Sequence, residues 1–277
     1  MRFGSHVSIK EGYSGAALRA IEMGALAFQY FPKNPRALSV KEFNKQDTLA
    51  CRKISEENNL VSISHSPYPT NLTATKEKRQ QVIDSLLNDL DISNACGSIG
   101  VVVHFGKQME SLNRVESYKV MIDALNQVLS VWDGSCKILL ENTAGTPGSM
   151  GTTMEELVQI RKLTDNPEKI GFCLDTCHAF SSGLWNGDNL DEFIAKGEEL
   201  SFFNHLEAIH LNNSKYATES GKDRHANLFV NGYIKEKQLK SFILQPTFRD
   251  VPFILETPDD EGIKHEEEIA HLYEKFG

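Results

Sequence analysis

The chain has few cysteines, and their arrangement excludes a fold built on disulfide bonds. Five cysteines are scattered through 277 residues. An odd, scattered set with no export signal favours reduced thiols in the cytosol over a disulfide framework. Cys173 and Cys177 also lack the CxxC spacing of a structural zinc site. We therefore interpret both as buried small residues.

Long apolar runs are missing as well. No stretch approaches the ~18 apolar residues that a membrane span needs. Residues 1–6 enter a strand-like pattern without the apolar core of a signal peptide. With 40% hydrophobic and 24% charged residues, the composition is that of an ordinary globular protein. We expect a soluble cytoplasmic protein with no membrane partner.

Basic residues are in deficit, with 29 Lys and Arg against 38 Asp and Glu and a net charge of −9. Bulk charge alone argues against a nucleic-acid partner. However, metal ions bound by acidic side chains would offset part of this negative charge. Since those ions would lie inside the binding face, bulk charge does not decide the partner.

The chain also lacks low-complexity tracts, linkers and compositional breaks, which predicts a single domain over residues 1–277. Short apolar β-type runs alternate with amphipathic segments, one of which carries Val82, Leu86 and Leu90 on one helical face. Eight strand–helix units predict a (β/α)8 TIM barrel, with a doubly wound sheet as the alternative. The predicted strands are Arg2–Ser5, Ala25–Phe31, Leu60–Ser64, Ile99–Val103, Lys137–Leu140, Ile170–Leu174, Leu206–Ile209 and Val251–Leu255.

A histidine or an acidic residue directly follows each of the last six runs. These residues are His65, His104, Glu141, Asp175, His210 and Glu256. They are separated by 34 to 46 residues, roughly one βα unit each time. In a barrel the carboxyl ends of the strands form one rim, where active sites lie. Three histidines with three carboxylates suit Zn²⁺, or Mn²⁺ or Fe²⁺, better than Mg²⁺.

Two further segments extend this candidate site. His178 lies three residues after Asp175, and the polar segment 212–232 contains Asp223 and His225. Together His178, Asp223 and His225 supply two nitrogens and one carboxylate, which is the protein half of an open zinc site.

Motifs along the whole chain resemble the endonuclease IV family of zinc-dependent AP endonucleases, which are xylose-isomerase-like TIM barrels. The matching segments are Gly4-Ser5-His6-Val7-Ser8, Lys33-Asn34-Pro35-Arg36, His65-Ser66-Pro67-Tyr68, His104-Phe105-Gly106, Glu141-Asn142-Thr143-Ala144-Gly145, Asp175-Thr176-Cys177-His178-Ala179-Phe180, His210-Leu211-Asn212, Asp223-Arg224-His225 and Glu256-Thr257. The Glu-Asn-Thr-Ala-Gly, Asp-Thr-Cys-His-Ala and Asp-Arg-His segments are specific in combination.

The resemblance implies three zinc ions, and Mn²⁺ or Fe²⁺ stays open as the alternative to zinc at one site, the third above all. It implies that His65, His104 and Glu141 hold the first ion. Glu141 would bridge to a second ion held by Asp175, His210 and Glu256, and the third would be held by His178, Asp223 and His225.

The resemblance also implies an activity and a partner. A hydroxide activated by the metals would hydrolyse the phosphodiester 5′ of an abasic site and leave a 3′-hydroxyl. Glu256 or Glu141 would orient or deprotonate the attacking water. The implied partner is damaged double-stranded DNA, bound by a monomer. Arg36, Tyr68 and Pro69 stand where the family inserts side chains at the lesion.

This sequence departs from the family pattern outside the ligand set. Pro69 replaces an apolar wedge, and Asn213 replaces an Asp that would be a carboxylate near the ligands. The segment Phe229-Val230-Asn231-Gly232 replaces a Gly-x-Gly turn, and Lys10-Glu11-Gly12 replaces an Ala-Gly-Gly-like turn. These departures concern duplex recognition.

Two alternative functions stay open. One is a divalent-metal sugar isomerase or epimerase of the same barrel group. The other is a zinc-containing protein that binds damaged DNA without cleaving it.

Overall fold

The computed structural model describes residues 1–259 and 262–277. The strands of these residues are, in chain order, β1 (Arg2–His6), β2 (Ala27–Tyr30), β3 (Val61–His65), β4 (Gly100–His104), β5 (Lys137–Glu141), β6 (Ile170–Asp175), β7 (Leu206–His210), β8 (Asn213–Ser214), β9 (His225–Ala226) and β10 (Pro252–Leu255). The helices are α1 (Gly12–Glu22), α2 (Lys45–Glu57), α3 (Lys76–Cys96), α4 (Arg114–Leu129), α5 (Met154–Leu163), α6 (Thr176–Ser182), α7 (Leu190–Glu199), α8 (Glu236–Ile243) and α9 (His265–Phe276). No helix in the described ranges is long and apolar enough to cross a membrane.

Eight of the strands close into a parallel barrel in the order β1-β10-β7-β6-β5-β4-β3-β2. Every predicted run contributes one of these strands, so the predicted TIM barrel is confirmed and the doubly wound sheet is excluded. The predicted carboxyl ends of β3 to β7 fall one residue short of the observed ends. The candidate ligands therefore close these five strands as their last residues, whereas Glu256 directly follows β10.

Local sequence explains where the surrounding helices begin and end. The side chain of Asn113 accepts a hydrogen bond from the backbone of Glu116, whose carboxylate accepts in turn from the backbone of Asn113, so a capping box starts α4. Gly97 ends α3 in the left-handed region at φ 80°, where a side chain would be strained. Val82, Leu86 and Leu90 are buried on the inner face of α3, as predicted.

The sequence predicts a polar loop over residues 212–232, but the structure contains two short strands there. Its residues Asn213 and Ser214 pair antiparallel with Ala226 and His225. Two strands of two residues each are held by backbone hydrogen bonds alone, so they need no alternation of apolar and polar side chains. The sequence therefore contains no strand pattern there. The ladder anchors His225 at the carboxyl rim of the barrel.

The barrel interior holds a small apolar layer that is separate from the larger core between strands and helices. Its members are Ala27, Ile63, Val102, Leu139, Cys173, Ala208 and Ile254. Each comes from a different barrel strand and is at most 1% exposed. This layer forms the floor beneath the site described next.

Candidate metal centre at the carboxyl rim

A polar layer lies directly above the apolar floor. Because side chains on a strand alternate between its two faces, the residue two positions after each floor residue also points inward, nearer the carboxyl end. The residues at these positions are Gln29, His65, His104, Glu141, Asp175, His210 and Glu256. Six of them are the ligands predicted from the sequence.

The first group consists of His65, His104 and Glu141. Glu141 Oε2 lies 3.2 Å from His104 Nε2 and 3.6 Å from His65 Nε2. The side chains of His65 and Glu141 are buried, whereas that of His104 is 40% exposed. The group therefore has one side open to solvent.

The second group consists of Glu141, Asp175, His210 and Glu256. His210 Nδ1 lies 2.9 Å from Glu141 Oε1, 3.2 Å from Glu256 Oε2 and 3.8 Å from Asp175 Oδ2. The two oxygens of Glu141 thus face different groups, which is the arrangement expected of a bridging carboxylate.

The third group consists of His178, Asp223 and His225. Asp223 Oδ1 lies 3.2 Å from His178 Nε2 and 3.5 Å from His225 Nε2. The Asp223 side chain is 45% exposed, so this group is the most accessible of the three. Asp175 Oδ2 also lies 3.5 Å from His225 Nε2, which connects the third group to the second.

The chemistry of these groups fits zinc. Glu141 Oε2 and His225 Nε2 are buried and have no hydrogen-bond partner among the residues that the structure describes. Two donors that are each ≈ 2.0–2.1 Å from a tetrahedral Zn²⁺ lie about 3.3 Å apart. The separations of 3.2 to 3.6 Å around these two atoms match that value better than they match hydrogen bonds.

Hydrogen bonds to backbone carbonyls orient three of the histidine rings. His65 Nδ1 donates to the Ser66 carbonyl at 2.8 Å, and His178 Nδ1 donates to the Asn142 carbonyl at 2.9 Å. His225 Nδ1 donates to the Glu256 carbonyl at 3.1 Å. Since a carbonyl oxygen can only accept, each bond places the ring proton on Nδ1 and leaves Nε2 free to bind a metal.

Two asparagines adjoining the ligands orient Asp175, and the sequence analysis gave them no role. The Asn142 side chain exchanges hydrogen bonds with the backbone of Asp175 at 2.7 and 3.0 Å. Asn212 Nδ2 donates to Asp175 Oδ2 at 2.7 Å, and its Oδ1 accepts from the backbone of Glu256 at 2.9 Å. The available signal was an amide side chain one residue after Glu141 and two residues after His210.

Cys177 also lies near the metal groups, together with Asp175 and His225. Burial raises the pKa of the Cys177 thiol to about 12, so the thiol stays protonated near neutral pH. Its Sγ donates to the Arg224 carbonyl. All five cysteines are buried, free thiols, which confirms the interpretation of Cys173 and Cys177 as buried small residues.

The rim histidines and carboxylates shift one another's pKa values. Burial opposes protonation of His178, but the carboxylates of Asp175 and Asp223 outweigh it and hold its pKa well above the ordinary 6.5. Burial also opposes ionisation of Glu256, but His210 and His65 outweigh it and lower the pKa of Glu256 to about 2. Metal binding would therefore have to displace histidine protons.

His6 and Gln29 complete the ring, and the sequence analysis did not recognise either as part of the site. His6 ends β1, and Gln29 is fully buried on β2. His6 directly follows the first predicted run, just as the rim ligands directly follow the later runs, so the same pattern marks it. Gln29 lies inside the second run, whose apolar residues continue to Phe31, so no boundary marks it.

Two clefts meet over the metal groups and share Tyr68, His104, His178 and Asp223. One has a volume of about 630 Å³ and is lined by Lys107, Lys222 and Arg224 among others. The other has a volume of about 710 Å³ and includes Glu256. Together they form an open groove across the rim.

The three predicted DNA-contacting residues lie near this groove but differ in position. Tyr68 is 62% exposed between the two clefts, where its ring contacts Phe31 with centroids 5.2 Å apart. The backbone of Tyr68 donates to Pro35, next to the exposed Arg36. Pro69 instead lines a neighbouring cavity of about 510 Å³.

The Asn213 side chain forms its hydrogen bonds within the loop that follows β8, and none of them reaches a candidate ligand among the described residues. This fully buried side chain donates to the carbonyls of Leu228 and Ile234 and accepts from the backbone of Ser214 and Ile234. A Cβ at Gly232 would lie 1.9 Å from Asn213 Cγ. The departures at Asn213 and in the segment 229–232 therefore form one structural unit that shapes a loop.

Known proteins resemble the chain over nearly its whole length. The model of the xylose isomerase-like TIM barrel family matches residues 17–275. A probable endonuclease 4 of Symbiobacterium thermophilum is 38% identical over 275 residues, covering 98% of each chain. A probable endonuclease 4 of Halothermothrix orenii is 34% identical over 281 residues, covering 98% of this chain and 99% of its own.

Solved structures give the same result. Endonuclease IV from Thermus thermophilus matches with a TM-score of 0.84 and 31% identity, covering 99% of this chain and 98% of its own. A D-tagatose 3-epimerase-like protein, at 20% identity and a TM-score of 0.73, shares the fold. The resemblance inferred from the motifs is thus confirmed. The chain belongs to the endonuclease IV family of xylose isomerase-like TIM barrels, a family of hydrolytic enzymes.

Proposed function

We propose that this protein is a zinc-dependent apurinic/apyrimidinic endonuclease of base excision repair. It hydrolyses the DNA phosphodiester 5′ of an abasic site and leaves a 3′-hydroxyl. The observation that carries the proposal is the convergence of three ligand groups on one rim, with Glu141 Oε2 and His225 Nε2 facing into them. Family membership and the names of the relatives support it.

In this proposal each of the three groups would hold one ion. The first ion would be held by His65, His104 and Glu141, the second by Glu141, Asp175, His210 and Glu256, and the third by His178, Asp223 and His225. Because the third group is the most exposed, it is where Mn²⁺ or Fe²⁺ would replace zinc most readily. When bound, the ions supply a Lewis acid and acidify the attacking water.

Glu256 is the better candidate to orient and deprotonate that water. Glu141 is only 1% exposed and directs one oxygen into each of two groups, whereas the Glu256 side chain is 19% exposed and lines the larger cleft. The water oxygen forms a bond to phosphorus while its proton passes towards Glu256. The bond from phosphorus to the 3′ oxygen breaks, and that oxygen is protonated to give the 3′-hydroxyl.

Damaged double-stranded DNA is the proposed partner. Lys107, Lys222 and Arg224 line the smaller cleft and supply positive charge to the phosphates of the strand. Arg36, Tyr68 and Pro69 stand beside the groove, and Tyr68 offers an exposed ring that can replace lost base stacking at the lesion. We further propose that the protein acts as a cytoplasmic monomer whose residues 1–277 form a single domain.

The test uses a short duplex that contains one tetrahydrofuran abasic analogue. This analogue cannot open to the aldehyde, so elimination is excluded and incision has to be hydrolytic. We expect incision on the 5′ side and an end that DNA polymerase extends, while an undamaged duplex stays intact. Tight binding without incision would support the non-cleaving alternative. Interconversion of free ketohexoses would support the isomerase or epimerase alternative.

A further inference from the structure

Gln29 occupies a rim position at which most other barrel strands carry a candidate ligand. It follows Ala27 of the apolar floor by two residues and is fully buried. An uncharged amide is a poor zinc ligand compared with histidine or a carboxylate. Its burial among charged groups therefore calls for another role, and its hydrogen bonds indicate which one.

The Gln29 amide links three rim side chains. Its Oε1 lies 2.7 Å from His210 Nε2, and its Nε2 lies 2.6 Å from Glu256 Oε1. The same Nε2 lies 3.2 Å from His6 Nδ1. One side chain thus contacts two of the four residues of the second metal group, each on the side away from the other ligands.

The chemistry of the neighbours fixes the direction of each hydrogen bond. If the amide were rotated by 180°, its oxygen would face the Glu256 carboxylate, and two acceptors would repel each other. The amide nitrogen therefore donates to Glu256 Oε1 and to His6 Nδ1, and the amide oxygen accepts from His210 Nε2. His210 then carries a ring proton on Nε2, and its Nδ1 faces the second metal group, 2.9 Å from Glu141 Oε1 and 3.2 Å from Glu256 Oε2.

We infer that Gln29 is a positioning residue for the second metal group. It selects the metal-binding tautomer of His210 and turns Glu256 so that Oε2 faces the group. This inference rests on the proposed metal centre. His65, His178 and His225 are oriented by backbone carbonyls, whereas His210 depends on a side chain that a substitution can remove.

The first test is Gln29→Met, which keeps the length of the side chain but removes both hydrogen bonds. We expect one of the three ions to bind about 10- to 100-fold more weakly, while the other two keep their affinities. Zinc content is measured by mass spectrometry after equilibration with chelators of graded strength. Gln127→Met, on the exposed face of α4, is the matched control and should bind zinc like the unaltered chain.

A crystal structure of the variant at the zinc absorption edge identifies the affected site. We expect anomalous peaks beside His104 and His178 and a weakened peak beside His210. Gln29→Asn keeps a polar side chain but falls one methylene short of both partners. Should Gln29→Met fail to fold, zinc affinities and anomalous peaks are measured for Gln29→Asn instead, with the same expected result.

Three outcomes would count against the proposals, and they are distinguishable. Full affinity for all three ions in both variants would overturn the role of Gln29 alone. Equal weakening of all three ions, together with a lower melting temperature of the metal-free variant, would mean a merely structural role and would overturn it too. An unaltered chain that binds no zinc would overturn the proposed function and this inference together.

Discussion

Two adjacent layers inside the barrel differ in chemistry although the same strands build them. The lower layer consists of small and apolar side chains such as Ile63 and Leu139. The upper layer, two residues further along each strand, consists of histidines, carboxylates and Gln29. One step of strand periodicity therefore separates the packed core from the proposed metal centre.

The comparison shows how a rigid site arises on this fold. Each of the six ligands in the upper layer is oriented by a strand whose preceding inward residue is packed in the floor. Stability should therefore reside mainly in the lower layer, and activity in the upper one. The following predictions test this division, and they begin with the largest expected effect.

Glu256→Gln in the upper layer should lower cleavage of the abasic duplex by about 10²- to 10⁴-fold, because the variant loses a proton acceptor and a ligand oxygen. The barrel should remain folded. Cleavage rates at saturating DNA, together with circular dichroism, check both points. Glu198→Gln, on the exposed face of α7, is the matched control. Full activity of the Glu256 variant would refute its assignment.

Leu139→Ala in the lower layer should show the opposite pattern. Truncating this fully buried side chain should lower the free energy of unfolding by about 2–5 kcal/mol, with cleavage retained at low temperature. Urea unfolding measures the loss. Leu163→Ala removes the same atoms from a side chain that is 59% exposed and should change stability by less than ~0.5 kcal/mol. Equal losses in the two variants would contradict the role of the floor.

The metal-stripped and zinc-loaded proteins should respond differently to pH. The raised pKa of His178 contributes stability that is complete below 6.5 and is lost as the pH rises through the folded value. The lowered pKa of Glu256 contributes stability that is present above 4.5 and is lost as the pH falls towards about 2. His178 and Glu256 therefore stabilise the folded, metal-stripped protein most between pH 4.5 and 6.5.

Zinc requires deprotonated histidines, so the stabilisation by zinc should grow as the pH rises. Melting temperatures of both forms from acidic to mildly alkaline pH measure this difference. A gap between the two forms that stays constant with pH would mean that zinc does not displace protons from the upper layer.

The smallest effect is expected at the edge of the groove. For Lys222→Ala, the logarithm of the DNA association constant should fall less steeply with the logarithm of salt concentration. The slope should be smaller by about 0.9 for one lost phosphate contact, and cleavage at saturating DNA should change little. The side chain of Lys222 lies over the ring of Tyr216, 4.2 Å from its centroid, which holds it beside the smaller cleft. Lys196→Ala on α7, which lines neither cleft, should leave the slope unchanged.

The upper layer was largely predictable from the sequence, and the reason is geometric. The end of each strand, the polar residue at that end and the spacing of about one βα unit can all be seen in the sequence. The six ligands of the upper layer could therefore be recognised without knowing the fold. Gln29 was hidden because the apolar run that contains it continues through Tyr30 and Phe31. The role of Asn213 depends on a loop about 20 residues away, and no local pattern reports that contact.

Titration of the metal-stripped protein with Zn²⁺, while incision of the tetrahydrofuran duplex is followed, tests the proposed function most directly. We predict no incision by the stripped protein, incision that appears as zinc binds, and saturation at three ions per chain. Undiminished incision after complete stripping, or none with three ions bound, would contradict a zinc-dependent endonuclease at this rim.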